Sequence, residues 1–152
     1  MIEYRKAYLS DIESMQNLIQ PEVESGVILP RSNDEIATNI RSYMLAFDGE
    51  VLVGFCALHV HSYTLAEIRS LIVRDGYRAK HIGSEIVKRA LDEAASLGLK
   101  QVLALTYKQS FFENLGFIEI PKESLPDHKI WADCIKCKHF PICNEISLIK
   151  NI

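Results

Sequence analysis

The sequence lacks long apolar runs and any strong excess of one charge, and each absence excludes a class of protein. No segment approaches the length of a membrane span, and the N-terminal segment has no apolar core of signal-peptide length. The net charge of -3 gives no electrostatic argument for a nucleic-acid-binding surface. We therefore expect a cytoplasmic protein that binds neither membranes nor nucleic acids.

The two common nucleotide-binding loops are also missing. The sequence contains no GxxxxGK[ST] P-loop and no GxGxxG dinucleotide loop, and it shows no internal repeat or low-complexity stretch. Its 152 residues, of which 48% are hydrophobic and 24% charged, are enough for one domain and too few for two ordinary ones. This composition is that of a single globular domain.

One stretch in the middle of the chain combines a strand, a basic loop and a helix start. Residues 65–73 form an apolar run of β character that carries an acid and a base. The strand period predicts one shared face for Leu65, Glu67, Arg69, Leu71 and Val73. A turn cluster at 74–77 and a basic segment at 78–83 follow. The helical pattern then has apolar positions at Ile82, Ile86, Val87, Ala90, Leu91, Ala94 and Leu97.

The start of this helix is suited to binding phosphate. A helix N-terminus leaves several backbone N–H groups without partners inside the helix and carries partial positive charge. Arg78 and Lys80 add full positive charges there. The pattern also fits an ordinary connection between a strand and a helix, with solvated charges.

The remaining pattern predicts a mixed sheet flanked by helices, in the α/β (α+β) class. Residues 2–7 read as a strand, and Ser10 begins a capping box for a helix that ends before Pro21. Residues 22–31 read as a loop, and Ser32 caps a second helix. The Asp48-Gly49 turn predicts a hairpin into a strand at 51–60 that is buried on both faces. Gly98 ends the long helix, and 102–105, 107–115 and 117–120 read as strand, helix and strand.

Glu67 is the candidate general base. An amine must lose its proton before it can attack a carbonyl group, and a carboxylate can remove that proton. Burial in an apolar strand would raise the pKa of Glu67 toward the useful range. The alternative is that Glu67 simply pairs with Arg69 on a half-exposed face.

The four cysteines are thiols or metal ligands rather than disulfides if the protein is cytoplasmic. Cys134, Cys137 and Cys143 have zinc-knuckle spacing, and His139 or His128 would complete a Cys3His site. Free or packed thiols and a redox role stay open. Cys56 is predicted to be a core thiol. Residues 146–149 are predicted to return as a closing or partner-contacting strand, which suggests a homodimer edge.

The basic loop resembles the phosphate loop of GCN5-related N-acetyltransferases (GNAT), [Q/R]-x-x-G-x-[G/A], with His81 where the first glycine is usual. The resemblance implies an acetyl-CoA site in which backbone N–H groups of Leu71, Ile72 and Val73 polarise the acetyl carbonyl group. The pyrophosphate would lie against Arg78, Ala79, Lys80, His81, Ile82, Gly83 and Ser84.

A second segment, residues 110–117, resembles the family's A-x-x-F-Y-x-x-x-G-F motif. The resemblance implies that Phe111 and Asn114 pack along the pantetheine arm of the cofactor. Phe112 stands where many members have the tyrosine that protonates the departing thiolate. Tyr107 and Ser110 are the nearby replacements, and we favour Tyr107.

Residues 26–126 resemble the acetyltransferase domain of bacterial N-acetylglutamate synthases. The matching segments are LPRS at 29–32, AEIRSLIV at 66–73, FFENLGF at 111–117 and LP at 125–126. The resemblance implies that Arg31 binds the α-carboxylate of an amino acid, glutamate first, and that Arg69 also contacts the substrate. It implies a place in arginine biosynthesis.

The chain has no room for the synthases' kinase-like domain, so we expect a stand-alone enzyme. Residues 1–126 would form the acetyltransferase domain and 127–152 a cysteine-containing extension of it. Other amine acceptors, such as a polyamine or a protein N-terminus, stay open. So does a non-catalytic module that senses acyl-CoA or a metal.

Overall fold

The computed structural model describes residues 1–124 and 145–152. Its strands and helices follow the predicted order, including the strand at the C-terminal end. In chain order they are β1 (Ile2–Lys6), α1 (Ile12–Glu24), α2 (Asn33–Thr38), β2 (Tyr43–Asp48), β3 (Val51–Val60), β4 (Leu65–Val73), α3 (Ile82–Ser96), β5 (Gln101–Thr106), α4 (Gln109–Glu113), β6 (Ile118–Ile120) and β7 (Ile146–Asn151).

The strands form one seven-stranded mixed sheet in the order β1-β2-β3-β4-β5-β7-β6. The pair β4 and β5 is parallel, with α3 as the crossover between them, and the neighbouring strands elsewhere are antiparallel. This arrangement confirms the predicted mixed sheet flanked by helices. None of the helices within the described residues is long and apolar enough to cross a membrane.

Apolar side chains cover both faces of the sheet. On one face α3 contributes Ile82, Ile86, Val87, Ala90 and Ala94 to the main core cluster. On the other face α1 and α2 contribute Met15, Ile19 and Ile36 to a second cluster over β2 and β3. Strand β3 is buried from Leu52 to Leu58 because it lies between these layers, as its unbroken apolar run predicts.

The local signals for turns and caps are mostly confirmed. Ser32 Oγ accepts a hydrogen bond from the Glu35 backbone N–H at 3.1 Å, and the Glu35 carboxylate accepts one from the Ser32 N–H at 3.0 Å. The hairpin glycine Gly49 has a φ of 62°, and Gly98 after α3 has a φ of 89°. Both backbone conformations favour glycine because it has no β-carbon.

The prediction for α1 is wrong at both ends. A short 3-10 turn, Leu9–Asp11, precedes the helix, and the Asp11 side chain accepts a hydrogen bond from the Tyr8 N–H at 2.7 Å. The Asp11 carboxylate also makes a bidentate pair with Arg5, so the N-terminal anchor is Asp11 and not Ser10. At the other end the helix continues through Pro21 to Glu24. It lacks only the hydrogen bond that a proline nitrogen cannot donate.

The C-terminal segment returns as a strand, as predicted, but in the interior of the sheet. Strand β7 pairs with β5 from Asn151 to Ile146 and with β6 from Ile149 to Ser147. A strand with neighbours on both sides has no free edge to offer a second chain. The expectation that this strand forms a homodimer edge is therefore wrong.

Candidate active site

A bulge in β4 creates the site. Ser70 has a φ of 55°, and the register between β3 and β4 shifts between Phe55 and Ala57. One extra residue on β4 reverses the alternation of its side chains beyond that point. Leu71 and Val73 consequently join the core under α3, whereas Ile72 joins the opposite cluster. The prediction that Glu67 and Arg69 share a face with Leu71 and Val73 is wrong for this reason.

Strands β4 and β5 separate at the same level. Their pairing runs from Leu65 with Gln101 to Ile68 with Ala104, and within the described residues it goes no further. The opening is a cleft of about 1130 Å³, including its solvent-filled mouth, lined by β4, the segment after β5, and residues that follow α1. A cleft between diverging strands exposes backbone groups and side chains that a continuous sheet would bury.

Glu67 lies in this cleft, and its carboxylate is buried. The side chain is 3% exposed, and its Oε1 lies 2.7 Å from Nε2 of His61 and accepts a hydrogen bond from Nε of Arg69 at 3.2 Å. The sequence analysis weighed a simple Glu67–Arg69 pair on a half-exposed face. Glu67 and Arg69 do form a pair, but the pair is buried, and His61 also contacts the Glu67 carboxylate.

Arg31 and Arg69 both line the cleft and also a smaller recess beside it. The loop carrying Arg31 is fastened to α1, because Gln16 Nε2 donates a hydrogen bond to the Arg31 carbonyl oxygen at 2.7 Å. Burial raises the pKa of Tyr43, and the positive charges of Arg31 and Arg69 act in the opposite direction. Arg31, Arg69 and Tyr43 line the same recess.

The predicted phosphate loop lies at the N-terminus of α3. Leu71, Ile72, Val73 and Arg78 line the cleft. Ala79, Lys80 and His81 are exposed in the turn before the helix, and Gly83 and Ser84 are half-buried in its first turn. Ile82 differs, because its side chain is 1% exposed and packs into the core. Any contact it makes with a cofactor must come from its backbone.

Two residues of this loop have unexpected conformations or partners. His81 has a φ of 60°, in the left-handed region that favours glycine, although its side chain has a β-carbon. Arg78 Nε donates to the Val73 carbonyl oxygen at 2.9 Å, and its guanidinium group also pairs with Asp75 at 2.9 Å. Arg78 therefore ties the loop to the end of β4.

The second motif packs against the cleft from α4. Phe112 lines the cleft and stacks edge-to-face on Phe111 and Phe117, with ring centroids 5.0 and 5.2 Å away. Tyr107 also lines the cleft and is 41% exposed, whereas Ser110 is exposed outside the cleft lining. Asn114 is an exposed residue at the C-terminal end of α4. Of the two proposed replacements for the family tyrosine, Tyr107 lines the cleft and Ser110 does not.

Two histidines near Glu67 are not among the predicted site residues. His59 and His61 lie at the end of β3 with their rings edge-to-face, 4.8 Å between centroids, and His59 pairs in register with Glu67. The His-x-His spacing at a strand end, next to a turn, is the signal that would have placed both rings opposite Glu67. Lys108 and Glu145 also line the cleft and were not singled out.

The proposed zinc ligands lie outside the described residues. This applies to Cys134, Cys137, His139 and Cys143 and to the alternative ligand His128. Residues 1–124 and 145–152 contain no group of three or more histidine, cysteine or acidic side chains that is suited to a metal. Cys56 is fully buried in the core, as predicted, and burial raises its pKa to about 12.

Comparison with known proteins identifies the fold family. The sequence profile of the Acetyltransferase (GNAT) family matches residues 9–117. The chain belongs to this family. It is therefore a GNAT acetyltransferase, and the cleft where β4 and β5 separate is its candidate active site.

Two relatives of this acetyltransferase are similar over most of the chain. It is 36% identical to an uncharacterized N-acetyltransferase, CT2212, of Chlorobaculum tepidum over 97% of this chain and 95% of the relative. It is 32% identical to the amino-acid acetyltransferase of Shewanella oneidensis over 82% of this chain, which spans 28% of that longer protein.

Solved structures share the fold. The N-acetylglutamate synthase of Neisseria gonorrhoeae, complexed with coenzyme A and N-acetyl-glutamate, superposes with a TM-score of 0.89 at 22% identity, over 99% of this chain and 35% of that one. Rv2747 of Mycobacterium tuberculosis, in complex with CoA and NLQ, gives 0.83 at 22% identity over 99% of both chains. Identities this low show the fold alone.

Proposed function

We propose that this GNAT acetyltransferase transfers the acetyl group of acetyl-CoA to the α-amine of an amino acid, with L-glutamate as the favoured acceptor. The observation that carries the proposal is a buried carboxylate, Glu67, in a cleft that two arginines, Arg31 and Arg69, also line. A carboxylate can accept the proton of an amine, and guanidinium groups bind carboxylates. The proposal includes a place in arginine biosynthesis.

The proposed site for acetyl-CoA, the acetyl donor, depends on the N-terminus of α3. Backbone N–H groups at this end, with Arg78 and Lys80 nearby, suit the pyrophosphate of CoA. The backbone of Leu71, Ile72 and Val73 borders the cleft beyond the bulge, where β4 has left β5. An N–H group at this unpaired edge suits the acetyl carbonyl oxygen as it gains negative charge. CoA in two structures of the same fold supports this assignment.

The proposed site for the amino acid that accepts the acetyl group depends on Arg31 and Arg69. A bidentate pair between Arg31 and the α-carboxylate would bring the α-amine into the cleft with Glu67. The Arg69 guanidinium already touches Glu67, so it would lie beside both the base and the substrate. The similarity to an amino-acid acetyltransferase supports an amino acid as the acceptor.

In this reaction the nitrogen of the ammonium group loses two protons and the departing sulfur gains one. Glu67 takes a proton from the ammonium group, and the neutral nitrogen attacks the thioester carbonyl carbon. The carbon–sulfur bond then breaks, and the sulfur leaves with the electron pair as a thiolate. The nitrogen, now bonded to the acetyl carbon, loses its second proton to solvent. Tyr107, which lines the cleft, would protonate this sulfur and regain its proton from solvent.

The test is thiol release from acetyl-CoA with a panel of amino acids, polyamines and peptides. We expect preference for glutamate, loss of that preference in Arg31→Ala, and loss of kcat in Glu67→Gln with CoA binding retained. Turnover of other amines only would overturn the acceptor and the pathway but keep the acetyltransferase. Tight CoA binding without turnover of any acceptor would favour a sensor of acyl-CoA.

We also propose that residues 127–152 form an extension of a domain at 1–126, with structural zinc bound by Cys134, Cys137, Cys143 and His139. Thiolate and imidazole ligands at this spacing are typical of closed zinc sites. Elemental analysis of the purified protein should find about one zinc per chain, and Cys134→Ser should abolish it. A folded, active protein without metal would contradict the proposal.

A further inference from the structure

The turn between β3 and β4 folds His61 back onto the neighbouring strand. The His61 and Ser62 N–H groups both donate to the Leu65 carbonyl oxygen, at 2.9 and 3.1 Å. Ser62 Oγ accepts from the Leu65 N–H at 3.1 Å, which closes the turn from the inside. The imidazole group is therefore held by a short, well-bonded connection, and its side chain is 2% exposed.

The direction of the His61 hydrogen bond follows from its partner. An ionised carboxylate only accepts hydrogen bonds, so Nε2 of His61 must carry a hydrogen to lie 2.7 Å from Glu67 Oε1. Arg69 Nε donates to the same oxygen atom. Two donors from different elements therefore fix one carboxylate oxygen.

The two donors are a guanidinium group and an imidazole ring. Arg69 brings a full positive charge that compensates the buried carboxylate. The His61 imidazole adds a second hydrogen bond to the same oxygen atom. Together the two donors restrict the orientation of the Glu67 carboxylate.

We propose that His61 is a positioning residue for acetyl transfer, which holds Glu67 in the orientation that accepts the proton of the acceptor amine. His61 keeps its own proton and takes no part in bond making. This inference rests on the proposed function, because it assumes that Glu67 is the base.

The experiment compares His61→Gln with His61→Leu. The glutamine amide can donate to Glu67 Oε1 and cannot titrate, whereas leucine fills a similar volume without a donor. We expect His61→Leu to lose kcat by about 10- to 100-fold, the equivalent of one hydrogen bond to a charged group. Its KM for acetyl-CoA should not change. His61→Gln should keep kcat within about threefold, a small effect on this scale.

The control is Tyr63→Ala, which changes a 97% exposed residue of the same turn and should leave kcat unchanged. If His61→Leu does not fold, His61→Ala is assayed with and without imidazole. Recovery of kcat with imidazole supports the inference, and no recovery in a folded variant overturns it.

Two results would overturn the role of His61 while keeping the function. These are full kcat in His61→Leu, and equal losses in His61→Gln and His61→Leu. The wild-type protein is assayed first with the whole panel of acceptors. No turnover there would overturn the proposed function itself, and this inference with it.

Discussion

Burial in the core controls the titration of the Cys56 thiol. It is fully buried, and burial raises its pKa from 9.0 to about 12. The folded protein therefore holds this proton at pH values where the unfolded chain has lost it. The stabilising contribution is complete below pH 9.0 and is lost as the pH rises toward 12.

We expect the free energy of unfolding to fall above pH 9.0 by up to about 1.4 kcal/mol per pH unit through Cys56 alone. Urea unfolding of the wild type and of Cys56→Ala, at pH 8 and pH 10, measures this contribution as the difference between the two slopes. Tyr4 and Tyr43, whose pKa values burial also raises, are present in both proteins and cancel. If both proteins lost the same free energy of unfolding between the two pH values, the folded state would not raise the pKa of the Cys56 thiol.

The backbone conformation of His81 is unfavourable for a residue with a β-carbon, and His81 stands where glycine is usual in the family. Its φ of 60° lies in the left-handed region, which costs a residue with a β-carbon about 1 to 2 kcal/mol. His81→Gly should therefore raise the free energy of unfolding by roughly 0.5 to 1 kcal/mol, because the flexibility of glycine in the unfolded chain offsets part of the gain. His81→Ala, which keeps the β-carbon, should show no gain. A similar gain in both variants would assign the effect to the imidazole side chain.

At the scale of elements, the bulged β4 is supported by the close approach of β3. Gly54 pairs with Val73, and a β-carbon on Gly54 would lie 2.8 Å from the Ile72 carbonyl oxygen and 3.1 Å from Ile86 Cδ1. The neighbouring atom is backbone, so the strand itself must move to admit a side chain. The absence of a side chain at Gly54 thus allows β3, the bulge and α3 to meet.

Gly54→Ala should lower the free energy of unfolding by about 2 kcal/mol and weaken CoA binding. The matched variant is Gly83→Ala, where an added β-carbon meets only ordinary contacts, 3.4 Å from Val73 Cγ2 and 3.5 Å from Phe111. That change should be neutral or stabilising by up to about 1 kcal/mol, because alanine favours a helix. Thermal unfolding measures the stability of both variants, and calorimetry measures their CoA binding. If Gly54→Ala does not lower the free energy of unfolding, the strands move apart at little energetic cost.

At the scale of the whole molecule, the candidate active-site cleft joins segments from both halves of the chain. The cleft is lined by residues from the end of α1 to Glu145, just before β7. A ligand that binds the folded state alone stabilises it by an amount set by its concentration and affinity. The stabilisation by CoA should therefore extend over the domain.

We expect CoA at one hundred times its Kd to stabilise the protein by about 2.7 kcal/mol in thermal unfolding. Arg78→Ala should need a higher CoA concentration for the same effect, because Arg78 ties the loop to the Val73 carbonyl oxygen. Arg89→Ala is the matched control, since Arg89 lies on the surface of α3 and contacts Glu85 and Tyr4. Equal responses would show that Arg78 does not contribute to the CoA site.

The sequence by itself determined the order of strands and helices, the Ser32 cap, the hairpin at Gly49 and the two family motifs. These features depend on neighbours in the chain, on apolar periodicity and on turn chemistry, which a sequence displays directly. Only the tertiary structure decided the bulge at Ser70, the place of β7 inside the sheet and the contact of His61 with Glu67. Each of these depends on how distant strands pair, and a shift of one residue in register changes which side chains meet.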